Sequence, residues 1–177
     1  ARAVAWCERM NEAYPDSDTS RRMQVDLLKA NPHVGDVRQA LRAWADAREG
    51  GARAAVLAEL ADHLRAEGDQ QGSLEVLAEA AEAEPTSEVL LQQLVDRYTA
   101  QGDWQSVMVW LERLAFVTEP GPLREERLRR LVEVATDYLD DPAVAARGLR
   151  ALDKRTEAET RHLAHLYAQS GDVDGLE

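Results

Sequence analysis

The dipeptide Gly-Asp stands at Gly35-Asp36, Gly68-Asp69, Gly102-Asp103 and Gly171-Asp172. The first three are 33 and 34 residues apart, and the last interval, 69 residues, is twice as long. A recurrence at that spacing admits few folds. Each period has room for two helices and a turn, and one hairpin of that size cannot bury its apolar face alone, so it must stack on its neighbours. Within the double interval a turn is expected at Asp140-Asp141-Pro142, with one glycine replaced rather than one repeat lost.

The flanking residues recur in the same register. Four before the glycine come Leu64, Tyr98 and Tyr167; seven before come Ala61, Val95 and Ala164; eight before come Leu60, Leu94 and Leu163. Five, nine and twelve after it come Ala40, Trp44 and Ala47, then Ser73, Leu77 and Ala80, then Val107, Leu111 and Leu114. Pro85 and Pro120 close two units, and Ala3, Cys7, Met10 and Pro15 repeat the second-helix spacing, so the chain opens inside a repeat.

With a period near 34, small residues where paired helices touch, an aromatic before the turn glycine and a closing proline, the chain resembles the tetratricopeptide repeat family. The resemblance implies an all-α fold, a right-handed superhelical solenoid of antiparallel helix pairs. About five units span residues 1–177 as a single domain, the first and last truncated, which is the expectation for a piece of a longer protein. Departures from the family pattern are the missing aromatic early in each first helix, Pro32 inside an expected helix, and a fourth turn two residues short.

Local chemistry supports the hairpins. Gly followed by Asp suits a left-handed helix end and then an N-cap, satisfying orphan carbonyls and amides together. Alanine at crossings permits close approach, while Leu and Tyr at helical spacing fill the layers. Helices are expected at 1–14, 20–30, 36–48, 52–66, 70–83, 87–100, 103–116, 124–139, 142–152 and 157–169, with Gly50-Gly51 breaking the chain as an irregular joint. Leu60, Leu64, Leu77, Leu94, Tyr98, Leu111 and Leu114 form the expected core, Trp44 and Trp6 extend it, and Trp104 and Trp110 are expected to pack rather than to form a ligand site. Only 5% of residues are aromatic and 45% are hydrophobic, a composition for many small helical interfaces rather than one large core.

Composition also narrows the chemistry. A lone cysteine, Cys7, excludes an internal disulfide framework and a cysteine-ligated zinc site. No run approaches the roughly 18 apolar residues of a membrane span. His162 and His165 share a helix face with Glu159, but two imidazoles and one carboxylate from a single helix lack a further ligand, so no metal and no cofactor is expected. Carboxylates are plentiful without a nucleophile, a phosphate loop or a histidine partner, so no catalytic residue is assigned and the chain reads as a non-enzyme. A net charge of −12 argues against nucleic acid. The local cluster Arg124, Arg127, Arg129 and Arg130 is expected to be offset by Glu125, Glu126 and Glu133 as helix-spaced pairs.

In the family it resembles, the first helix of each hairpin lines a concave groove, and the implied positions lie ten and six before the turn glycine. Here they are Ala58, Asp62, Gln92, Asp96, Arg161 and His165, with Val132 and Thr136 if Tyr138 sets the register. None is Lys or Asn, so the carboxylate clamp of some family members is absent. From Glu59 to Asp103 there are eleven acidic residues and two basic ones, Arg65 and Arg97, with Glu75, Glu79 and Glu82 on a solvated outer face. The expected role is a protein-interaction scaffold that takes a protein or peptide partner with a basic segment on Asp62 and Asp96. The alternative is a repeat region of a bacterial secretion or polysaccharide export protein, its acidic surface guiding a charged polymer.

Overall fold

The computed structural model describes residues 2–15 and 17–170, which form ten α-helices and no strand among the described residues. The chain divides into two compact units, one ending at Thr86 and the other beginning at Ser87. In the first unit α1 (Arg2–Ala13), α2 (Asp18–Ala30), α3 (Val37–Asp46), α4 (Gly50–Ala66) and α5 (Gln70–Ala83) each pack on the next. In the second, α6 (Glu88–Gln101), α7 (Trp104–Val117), α8 (Pro122–Glu133), α9 (Pro142–Arg150) and α10 (Glu157–Ser170) do the same, and a π-helical turn, Val134–Tyr138, extends α8. No helix among the described residues is long and apolar enough to cross a membrane.

Two turns form as the dipeptide predicts, and at Gly35-Asp36 only the aspartate cap does, since α2 ends at Ala30 and Gly35 does not take a positive φ. Gly68 and Gly102 have φ of 88° and 72°, a region that side chains with a Cβ enter only under strain. The aspartates that follow cap the next helix: Asp69 accepts from the Gly72 amide at 2.9 Å and Asp103 from the Ser106 amide at 3.1 Å. Asp36 accepts from the Arg38 amide at 2.8 Å. At the fourth turn Asp140 takes the glycine's place with φ 51°, and Asp141 accepts from the Val144 amide at 3.0 Å with Pro142 opening the helix. The expected turn at Gly171-Asp172 lies outside the described residues.

Leu60, Leu64 and Leu77 are buried in the first unit, and Leu94, Leu111 and Leu114 in the second. Trp44 is buried as well, its indole N–H donating to Asp18 at 2.7 Å while the Arg22 guanidinium lies 4.7 Å from its ring centre. Three expectations are corrected. Tyr98 is only half-buried. Trp6 is 46% exposed, because α1 is covered on the face that carries Cys7 and not on the face that carries the indole. Gly50 and Gly51 do not interrupt the chain; Gly50, at φ 52°, begins α4, and the Arg53 amide donates to the Glu49 carbonyl as the first helical bond.

Ion pairs tie α2 to α4, α3 to α4 and α5, and α4 to α5 in the first unit, and α6 to α8, α7 to α9 and α8 to α10 in the second. In the first unit Glu59 of α4 receives Arg22 at 2.8 Å and Lys29 at 2.6 Å, both from α2. Glu67, which ends α4, receives Arg38 of α3 at 2.6 Å. Glu79 of α5 receives Arg42 of α3 at 2.5 Å and Arg53 of α4 as well. In the second unit Arg127 of α8 pairs with Glu88 of α6 at 2.5 Å, Arg147 of α9 with Glu112 of α7 at 3.0 Å, and Arg129 of α8 with Glu159 of α10 at 2.7 Å. Glu79 is therefore a joint between helices and not a solvated outer residue. The arginine cluster on α8 is likewise not settled within its own helix: among the described residues only Arg129 pairs there, with Glu125 at 3.3 Å.

Candidate protein-binding groove

In the second unit α6 and α8 wall an open groove of about 380 Å³. Side chains three and four apart on a helix share a face, so Gln92, Asp96 and Thr99 stand in one row on α6, and Leu123, Glu126, Arg127 and Arg130 in one row on α8. Val95 and Leu111, both buried, make the apolar floor.

The charges along the walls differ in how they are compensated. Arg127 is held by Glu88 and by the Thr118 hydroxyl, which itself donates to the Leu114 carbonyl at 2.6 Å. Asp96 accepts only from the neutral Gln92 amide, at 2.9 Å, and has no cationic partner among the described residues. Glu126 and Arg130, both exposed, form no ion pair among the described residues. Thr99 Oγ1 is shielded from water and lacks a hydrogen-bond partner among the described residues. The groove thus presents two uncompensated carboxylates, one uncompensated guanidinium and the half-exposed Leu123.

Of the positions implied at the outset, Gln92 and Asp96 lie on this groove. Val132 does not. It is 8% exposed, and its Cγ2 lies 2.8 Å from where a Cβ on Gly148 would stand, so it packs α8 on α9. Thr136 sits in the π-helical turn with its hydroxyl donating to the Val132 carbonyl at 2.8 Å. Both assignments rested on Tyr138 as the register mark. Counting ten back from Asp140, the residue that adopts the glycine conformation, gives Arg130, which lines the groove. Leu123, Glu126, Arg127 and Thr99 are not among the positions implied at the outset, and six back from Asp140 stands Val134, which is buried.

Arg161 and His165 are exposed on α10, Arg161 within 3.6 Å of Glu157. Glu159 is committed elsewhere: its carboxylate accepts from the Thr156 amide at 2.6 Å while the Thr156 hydroxyl accepts from the Glu159 amide at 3.2 Å, a reciprocal helix-capping box. That removes it from the face with His162 and His165. Among the described residues, no three or more His, Cys, Asp or Glu side chains are grouped to hold a metal.

In the first unit Ala58 is half-buried and Asp62 exposed on α4, Asp62 lying 3.5 Å from Arg65. Glu59, one residue on from Ala58, is screened by its two cations. Burial alone would raise its pKa, but the hydrogen bonds from Lys29 and Arg22 outweigh that and hold the carboxyl below its usual range. Much of the acidic stretch is therefore already paired inside its own unit.

No protein-family model matches this chain, and no curated protein sequence matches it. Among solved structures it is similar to a tetratricopeptide repeat protein from Parabacteroides merdae, at 14% identity and a TM-score of 0.46 over 99% of this chain. This chain spans 63% of that protein. It is also similar to the nearly identical TPR-like repeats of a putative kinesin light chain from Podosopora anserina, at 17% identity and a TM-score of 0.43, covering 99% of this chain and 88% of that one.

Proposed function

We propose that this chain is a non-catalytic protein-interaction scaffold, and that the groove between α6 and α8 takes up a partner segment that sets a basic side chain on Asp96. The observation that carries the reading is the state of Asp96. Across the acidic stretch Glu59, Glu67, Glu79 and Glu88 each meet an arginine or lysine at ion-pair distance, whereas Asp96 and Glu75 each meet a glutamine amide and no cation among the described residues, and of these two Asp96 lines the groove. An uncompensated carboxylate on a groove wall, beside an apolar floor and opposite Glu126, favours a cation from a partner by charge complementarity. Arg130 on the same wall as Glu126 favours an acidic residue in the same partner, which makes the preferred segment one of mixed sign rather than a purely basic one.

The test is titration of the native partner, recovered from its own extract, against the intact chain and against Asp96→Ala. Loss of the carboxylate should weaken binding by about 1–3 kcal/mol, and affinity should fall as salt screens the pair. Binding of Asp96→Ala at full strength, or an affinity flat across a wide range of ionic strength, would remove the groove from the reading.

A further inference from the structure

A different face of α8 meets α7 and α9 around a small apolar pocket of about 80 Å³, walled by Ala115, Phe116, Leu128, Leu131 and Ala151. Its size falls between the roughly 10–15 Å³ that admits one water and the roughly 150 Å³ that admits benzene, which suits a single aliphatic side chain. Phe116 lines the pocket and yet is 72% exposed, the most open large apolar side chain among the described residues.

The two sides of the rim differ in charge. On one, Arg147 donates to Glu112 at 3.0 Å, so that side is already neutral. On the other, Arg124 has no carboxylate and no hydrogen-bond acceptor among the described residues, and its Nε–H is shut off from water. A guanidinium already stripped of part of its hydration and without a carboxylate partner favours a carboxylate brought by a ligand to its remaining N–H groups. We propose that this pocket docks an acidic protein segment, with one aliphatic side chain inserted beneath Phe116 and a neighbouring carboxylate on Arg124. The surface is separate from the groove, since it uses Arg124, Leu128 and Leu131 of α8 and none of the residues that line the groove on that helix.

The probe is the acetylated, amidated hexapeptide Gly-Ser-Leu-Glu-Asp-Gly, titrated into the full ¹⁵N-labelled chain. The amides of Phe116, Gly148 and Ala151 should shift saturably. Replacing the peptide's leucine by alanine should weaken binding about tenfold or more, the effect of removing about three buried carbons. Arg124→Gln should weaken it about tenfold, a charge-assisted hydrogen bond lost. Ala151→Leu, which fills the pocket from within, should abolish the shifts while the circular dichroism spectrum stays helical. The proposal is overturned if those amides do not move at millimolar peptide, if Arg124→Gln binds equally, or if a Lys-Lys version of the peptide binds as well. A concentration-dependent dimer that Phe116→Ser dissolves also overturns it, by giving the pocket to a second copy of the chain.

Discussion

Glu79 fastens three helices of the first unit at one carboxylate, which makes Glu79→Gln a sharp test of how much the ion pairs contribute. The substitution keeps the shape and one acceptor oxygen and removes the charge between Arg42 and Arg53, the latter also 3.2 Å from Asp46. An exposed pair contributes about 0.2–1 kcal/mol, and two guanidinium donors on one carboxylate lie at the strong end of that range. The Glu79 side chain is 36% exposed, so water screens both pairs and no larger figure is justified. The expected loss is about 1–2 kcal/mol for the two together. Its pH dependence has a definite sign. Burial by itself raises the Glu79 pKa, but the hydrogen bonds from Arg42 and Arg53 outweigh it and hold the carboxyl below its usual range. A folded value below the unfolded one, near ~4.3, means the stabilisation is fully present above the unfolded value and is lost as pH falls through the folded one. Urea unfolding followed by far-ultraviolet circular dichroism at pH 7, 5 and 3 should show a steady gap between the two proteins at the first two and a shrinking gap at the third. A gap under about 0.3 kcal/mol at neutral pH, below what a single exposed pair commonly contributes, or one undiminished in acid, would refute the reasoning.

Other outcomes follow from single positions. Leu94 is fully buried, so Leu94→Ala should cost roughly 2–5 kcal/mol by denaturant unfolding. Asp103→Ala should cost about 1 kcal/mol as a lost helix cap, whether read by heat or by urea. Gly102→Ala meets no atom within 4 Å, so its cost, about 1–2 kcal/mol, should come from backbone conformation alone and vanish if the residue is replaced by D-alanine through chemical ligation. Asp140→Gly, at a left-handed position, should be close to neutral, whereas Asp140→Val should lower the melting temperature.

The hairpin architecture was legible because its signals are local. A glycine forced to positive φ and an aspartate whose carboxylate reaches an amide three residues on are decided within one turn of chain, so Gly68-Asp69 and Gly102-Asp103 announce themselves. Asp140-Asp141 announced a turn too, but the register behind it was hidden by the π-helical turn Val134–Tyr138, whose wider helical turn shifts every later side chain. That is why Val132 and Thr136 were placed on the groove in preference to Arg130. The half-legible residues are the charged ones. Glu79 and Glu75 lie four apart on one helix and look alike in sequence, yet Glu79 meets two arginines from helices whose placement depends on packing thirty residues away. Trp6 misled for a related reason: helical spacing tells which face an indole shares, not whether another helix covers that face.

The ion pairs that reach across a repeat also bear on how such an array is assembled from parts. Apart from Arg53–Glu79, which lies inside the α4–α5 hairpin, these pairs split their two halves between hairpins, so a hairpin moved elsewhere carries an arginine or a glutamate without its counterpart. Arg42 waits for a glutamate at the position of Glu79, and Glu59 for the cations of α2. The pairs act as keyed joints: interchangeable leucines let any hairpin stack on any other, while the charges prescribe which hairpin comes next. Shuffling the order of the hairpins would preserve composition and leave these joints mismatched, so part of the neighbour order is written into this protein's electrostatics.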